Sequence, residues 1–131
     1  MVEHSNKKKA LVIDDTEVIR SLLSEALCER GFDVETAPNA VTGIEMATHL
    51  RPELIFCDTY MPDLDGFETI KRIRKLMPET IVVMTNSLPN NGAESSEQEN
   101  QYDYLLNKPF GLEELWGVLE KIRCKIVAQR K

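Results

Sequence analysis

The segment LIFCDTYMPDLDG, Leu54–Gly66, decides how this chain is read. It opens as an apolar run, stops at a carboxylate, and passes through a turn rich in Pro and Asp into a helical pattern. A short apolar run bounded by turn residues is a buried strand. The same order recurs on both sides, in ALVID (Ala10–Asp14), IVVMT (Ile81–Thr85) and YLLNK (Tyr104–Lys108). Helical patterns lie between these runs, so they are strands of a parallel sheet, and the carboxyl ends of such strands face one edge, where ligands bind. Asp14, Asp15, Asp58, Thr85 and Lys108 are therefore expected to share one crevice.

Working outward, strands are predicted at Lys9–Asp14, Phe32–Ala37, Leu54–Asp58, Thr80–Thr85 and Tyr102–Asn107. Helices are predicted at Thr16–Arg30, Asn39–Leu50, Gly66–Leu76 and Leu112–Val127. Gly31 ends the first, Asn39 caps the start of the second, and Pro52 and Pro78 block extension. Val18, Ile19, Leu22, Leu23, Ala26 and Leu27 form the apolar face of the first helix. Phe67, Ile70, Ile73 and Met77 form that of the third, with Lys71, Arg72, Arg74 and Lys75 outside. Leu112, Leu115, Trp116, Leu119, Ile122 and Ile126 form a stripe that packs the last helix on the sheet. The alternation predicts an α/β, doubly wound, five-stranded parallel sheet with strand order 2-1-3-4-5 and right-handed crossovers. Ser87–Gln101, SLPNNGAESSEQENQ, stands where a further crossover helix belongs. With few apolar positions, it is expected to hold a short, poorly packed helix or a mobile loop.

The length of 131 residues suits one domain with a real core. We expect a lead over 1–8, the domain over 9–128 and a tail over 129–131. The net charge of −6, without a basic stripe, argues against direct binding of nucleic acid or an anionic membrane. Lys7, Lys8 and Lys9 read as a solvated lead-in. Cys28, Cys57 and Cys124 have neither metal-ligand nor redox spacing and read as structural thiols. His4 and His49 are isolated. No signal peptide or membrane-spanning run is evident, so the expected compartment is the cytoplasm.

Consecutive carboxylates at a strand end repel each other unless a cation neutralises them. An Asp pair in that place is, taken alone, ordinary turn or cap chemistry. With Asp58, Thr85 and Lys108 at neighbouring strand ends, it points to Mg2+, a hard ion that uses few protein carboxylates. Asp58 is then a candidate nucleophile toward a phosphoryl group. Lys108 offers a point charge and Thr85 a hydroxyl for phosphoryl oxygens.

The chain resembles a response-regulator receiver domain of two-component signalling, chemotaxis regulators included. The resemblance rests on VIDD (Val12–Asp15), DTYMPDLDG (Asp58–Gly66), VVMT (Val82–Thr85) and NKPF (Asn107–Phe110). It implies that Asp58 is the phosphoacceptor, with Asp15 ligating Mg2+ directly and Asp14 largely through water. The Tyr60 backbone carbonyl would be a further ligand. Lys108 would contact the phosphoryl group, ahead of a cis bond to Pro109, and Thr85 would be the switch hydroxyl. The phosphoryl source would be a sensor histidine kinase or histidine phosphotransfer protein, and the output partner is unnamed. Such a protein assists its own phosphorylation and dephosphorylation without being a turnover enzyme on an external substrate, and a phosphorylation-dependent homodimer is compatible with it.

Some residues depart from the family pattern. Asn86 follows Thr85 where a small residue is usual. Leu105 replaces an aromatic, and Tyr102 replaces a small residue. These, with the polar segment 87–101, put the usual output surface in doubt and keep a phosphorylation-independent interaction module as the alternative. A haloacid-dehalogenase-type phosphatase needs an Asp where Tyr60 stands, and a flavin site needs a phosphate-cradling loop where DDTE stands. The chain fits a single-domain regulator or a receiver cut from a longer protein.

Overall fold

The computed structural model describes residues 7–86 and 102–129. Its elements run β1 (Lys9–Ile13), α1 (Glu17–Glu29), β2 (Asp33–Ala37), α2 (Ala40–Leu50), β3 (Leu54–Asp58), α3 (Gly66–Leu76), β4 (Ile81–Asn86), β5 (Tyr104–Asn107) and α4 (Leu112–Gln129). The five strands form one sheet in the order β2-β1-β3-β4-β5, and every neighbouring pair is parallel. This is the expected doubly wound topology. The expectation for Ser87–Gln101 lies outside the described residues.

Strand alternation divides the core in two. Ala10, Val12, Leu54, Phe56 and Val83 meet Leu23 and Leu27 of α1 and Leu115, Leu119 and Ile122 of α4. Leu11, Ile13, Ile55, Val82 and Met84 meet Ala40 and Ala47 of α2 and Ile70 and Ile73 of α3. Burying each of the larger side chains contributes about 1.5–3 kcal/mol, so sheet and helices hold one another. Asn39 caps α2 by accepting from the Thr42 amide at 2.9 Å, and Asp65 caps α3 by accepting from the Glu68 amide at 2.8 Å. Gly31 follows α1 with φ 92°, a left-handed turn suited to glycine. A Cβ on Gly43 would lie 2.6 Å from Ile13 Cδ1, so this glycine is what lets α2 settle on β1.

Several expectations are corrected. Val18 is 73% exposed, and Leu22 and Leu112 are exposed too. The inward faces centre on Leu23, Ala26 and Leu27 in α1 and on Leu115, Leu119 and Ile122 in α4. An apolar residue one position off the inward arc of a helix turns about 100° away from it. Arg74 is not a purely outward residue: its guanidinium donates to the Thr80 and Pro78 carbonyls and to Asp103. Cys28 and Cys124 are exposed, and only Cys57 is a core thiol. β4 runs on to Asn86 and α4 to Gln129, while β5 begins at Tyr104.

Candidate functional site

Parallel register sets the site. Asp58 is the β3 partner of Thr85 in β4, and β1 lies on the other side of β3, delivering Asp14 and Asp15 just beyond its end. Lys108 follows β5, its amide donating to the Asn86 carbonyl at 2.9 Å. All five expected residues thus stand at the carboxyl edge of the sheet.

One carboxylate oxygen each from Asp14, Asp15 and Asp58 lie within 4.8 Å of one another. Asp14 and Asp58 are buried, whereas Asp15 is exposed. Lys108 Nζ donates to Asp14 Oδ2 at 2.9 Å and lies 3.5 Å from Asp58 Oδ2. Asp14 Oδ1 accepts from the Thr16 amide at 2.8 Å, and the Tyr60 amide reaches Asp58 Oδ1 at 3.4 Å. Thr85 Oγ1 is buried and has no hydrogen-bond partner among the described residues. An unmet buried hydroxyl costs free energy and is uncommon. A crowded set of hard oxygen donors, a lysine that reaches two of them and an orphaned hydroxyl at the same sheet edge fit a divalent cation together with a bound oxyanion.

The frame around the site is tight. A Cβ on Gly66 would fall 2.1 Å from the Asp58 carbonyl and 2.8 Å from Thr59 Cα, so the start of α3 packs directly on the backbone bearing Asp58. Asp63 accepts from the Ala40 and Val41 amides at 3.2 and 3.0 Å, tying the β3–α3 loop to α2. Those bonds, the Val41 amide foremost, hold its carboxyl below the usual range. The Lys108–Pro109 bond is cis. Burial pushes the Cys57 thiol well above its usual value, and the carboxylates of Asp58, Asp14 and Asp65 push the same way, so Cys57 is no nucleophile.

Two supporting features were not legible as site parts. Arg20 NH1 donates to the Asp14 carbonyl at 2.7 Å. Thr59 Oγ1 donates to Asn86 Oδ1 and Asn86 Nδ2 to Asn107 Oδ1, both at 3.2 Å. Each of these last three residues adjoins one of Asp58, Thr85 and Lys108. The available signal was polar residues next to the site residues on three adjacent strand ends. Asn86 was noticed for its bulk, and its cross-strand bonding needed the register.

An open parallel sheet with a carboxylate cluster at the carboxyl ends of its strands puts the candidate site where α/β sheets of this kind bind ligands. Residues 10–120 match the response regulator receiver domain, and the chain belongs to that family. It is 37% identical over 112 residues to the DNA-binding transcriptional regulator NtrC of Azospirillum brasilense, covering 85% of this chain and 23% of that protein. It is 30% identical over 122 residues to a protein-glutamate methylesterase/protein-glutamine glutaminase of Archaeoglobus fulgidus, covering 90% and 35%. The chain therefore spans well under half the length of these curated relatives. Among solved structures, it resembles the REC domain of AraT, a response regulator from Geobacillus stearothermophilus, with TM-score 0.85, 25% identity and coverage of 95% and 98%. It also resembles response regulator TrrA from Thermotoga maritima in complex with Mg2+-BeF, with TM-score 0.78, 27% identity and coverage of 87% and 97%.

Proposed function

We propose that this receiver domain accepts a phosphoryl group on Asp58. The observation that carries the reading is one arrangement: three carboxylates within 4.8 Å, Lys108 reaching Asp14 and Asp58, and a buried Thr85 hydroxyl without a partner among the described residues. Asp14, Asp15, Asp58 and the Tyr60 carbonyl would hold Mg2+. When bound, Mg2+ would offset charge on the phosphoryl oxygens. An Asp58 carboxylate oxygen attacks phosphorus, the bond to the donor's histidine nitrogen breaks, and the nitrogen keeps the electron pair. The Lys108 ammonium takes up the negative charge that arrives, and the Thr85 hydroxyl gains the acceptor it lacks. The TrrA complex with Mg2+-BeF supports the reading, since the same fold there holds both a divalent ion and a fluoride species.

The domain, over 9–128, acts on this reading as a switch and not as a turnover enzyme on an external substrate. A sensor histidine kinase or histidine phosphotransfer protein supplies the phosphoryl group in the cytoplasm, and an output protein or domain reads the changed surface. Among the described residues no helix is long and apolar enough to cross a membrane.

Intact mass after incubation with acetyl phosphate and Mg2+ tests the reading. One phosphoryl group is expected on the protein and none on Asp58→Asn or without Mg2+. A wild-type protein that neither gains mass nor binds Mg2+ would overturn it in favour of a phosphorylation-independent interaction module.

A further inference from the structure

The amino edge of the sheet, opposite Asp58, carries a second concave feature. A cleft of about 160 Å3 is lined by Lys8, Arg30, Gly31, Phe32, Leu119, Arg123 and Ile126. Lys8 leads into β1, Arg30–Phe32 form the turn from α1 to β2, and the other three lie along α4 at positions spaced by four and three residues. That spacing puts them on one helix face. Phe32, Leu119 and Ile126 belong to the apolar packing between α1, α4 and the sheet. Gly31 adds no side chain to the wall.

Three basic residues therefore line a cleft with apolar walls in a chain whose net charge is −6. Two of them are held in place. The Arg30 guanidinium sits 4.3 Å from the centre of the Trp116 ring, a stacking that fixes its plane. Arg123 donates through Nε and NH2 to Glu120 Oε2, which leaves three of its five N–H donors for other acceptors. Neither Lys8 nor Arg30 forms an ion pair with a described residue. Glu120 is the facing carboxylate, acting on Arg123 and at longer range on Arg30, and it offsets one charge of the three. The Lys7–Lys9 run, expected to be plain solvated lead-in, thus places Lys8 half-buried against a cleft.

Size and chemistry select the ligand. A cavity of roughly 150 Å3 holds a benzene ring. An apolar seat of that size with Lys8, Arg30 and Arg123 in its lining suits a ring that carries an acidic group. We propose that this cleft binds a small aryl carboxylate, its ring against Phe32, Leu119 and Ile126 and its carboxylate among Lys8, Arg30 and Arg123. The site is independent of Asp58 and needs no divalent ion.

Trp116 is the only tryptophan, and its ring lies under Arg30, so its fluorescence reports on the cleft. Titration of the full chain with 3-phenylpropionate is expected to saturate with Kd of about 0.1–1 mM, the range open to a ligand of this size. Amide NMR shifts should cluster at Gly31, Phe32 and Leu119. The neutral 3-phenylpropanamide and inorganic phosphate should each bind about tenfold more weakly. Lys8→Gln with Arg30→Gln should weaken 3-phenylpropionate by a similar factor, and Ile126→Phe should block it by filling the seat. Because Arg30→Gln alters the surroundings of Trp116, affinities of the variants are taken from NMR shifts. No saturation below about 10 mM overturns the site. Equal affinity for the amide or for phosphate overturns the pairing of ring and charge, and unchanged affinity in both variants overturns the location.

Discussion

Two carboxylate centres in this protein are built on opposite plans. Asp103, at the entry to β5, accepts from the Val82 amide at 2.8 Å, from Arg74 at 3.0 Å and from Lys125 at 3.0 Å. Burial alone would raise its pKa, but the Val82 amide, Lys125 and Arg74 together hold it below its usual value. At the other edge, carboxylate oxygens of Asp14, Asp15 and Asp58 lie within 4.8 Å of one another, Lys108 reaches Asp14 and Asp58, and the buried Thr85 hydroxyl has no hydrogen-bond partner among the described residues. The first centre is satisfied and joins β4, β5, α3 and α4. The second holds surplus negative charge and a missing acceptor, and this imbalance is what a cation and a phosphoryl group would complete.

The largest expected effect comes from the frame and not from either carboxylate centre. Gly66→Ala forces a methyl group toward the Asp58 carbonyl, 2.1 Å from its ideal position, and should cost about 3 kcal/mol in urea unfolding. A stability close to wild type would show that α3 can slide without disturbing Asp58. Asp103→Asn comes next, at about 2 kcal/mol, because two cations and an amide lose a charged acceptor. Its pH dependence separates the two centres further. A carboxyl whose folded pKa lies below the ordinary 3.8 binds fewer protons folded than unfolded between those values. Its stabilisation is therefore full above 3.8 and lost as pH falls through the lower folded value. Acid unfolding of Asp103→Asn should lack that component, and identical acid curves for the two proteins would contradict the satisfied-centre reading.

Asp58→Asn should behave in the opposite way. Removing one of three crowded charges should leave stability unchanged or raise it by up to about 1 kcal/mol in the absence of divalent ions. The wild type's gain in Tm on adding Mg2+ should shrink in the variant. A loss as large as that of Asp103→Asn would erase the contrast. The smallest effect is expected from Thr85→Val. An apolar side chain of similar shape replaces a hydroxyl that has no partner among the described residues, so any loss of stability should stay below about 0.5 kcal/mol. A loss well beyond that by calorimetry would mean that the hydroxyl is already engaged.

Much of this was legible in the chain itself. β3 and α3 were expected over the residues they occupy, because LIFCD is an apolar run that ends at a carboxylate, and Phe67, Ile70, Ile73 and Met77 recur at helical spacing before Pro78. Asp14, Asp15, Asp58, Thr85 and Lys108 were legible because each terminates or follows an apolar run, and parallel strands end at a common edge. Helix faces were read less well. Val18 and Leu22 carry apolar side chains that point outward, since an amphipathic pattern fixes its arc only to within a residue or so.

Local sequence by itself determined the strands, the helices and the five residues of the crevice, through backbone periodicity and turn chemistry acting over a few neighbouring positions. Tertiary structure alone decided which groups meet. The Arg74–Asp103–Lys125 centre, the Thr59–Asn86–Asn107 row and the cleft of Lys8, Arg30 and Arg123 each join residues more than 20 positions apart. Contacts of that kind follow from strand register and from helices packing on a shared sheet, and neither is encoded within any one segment.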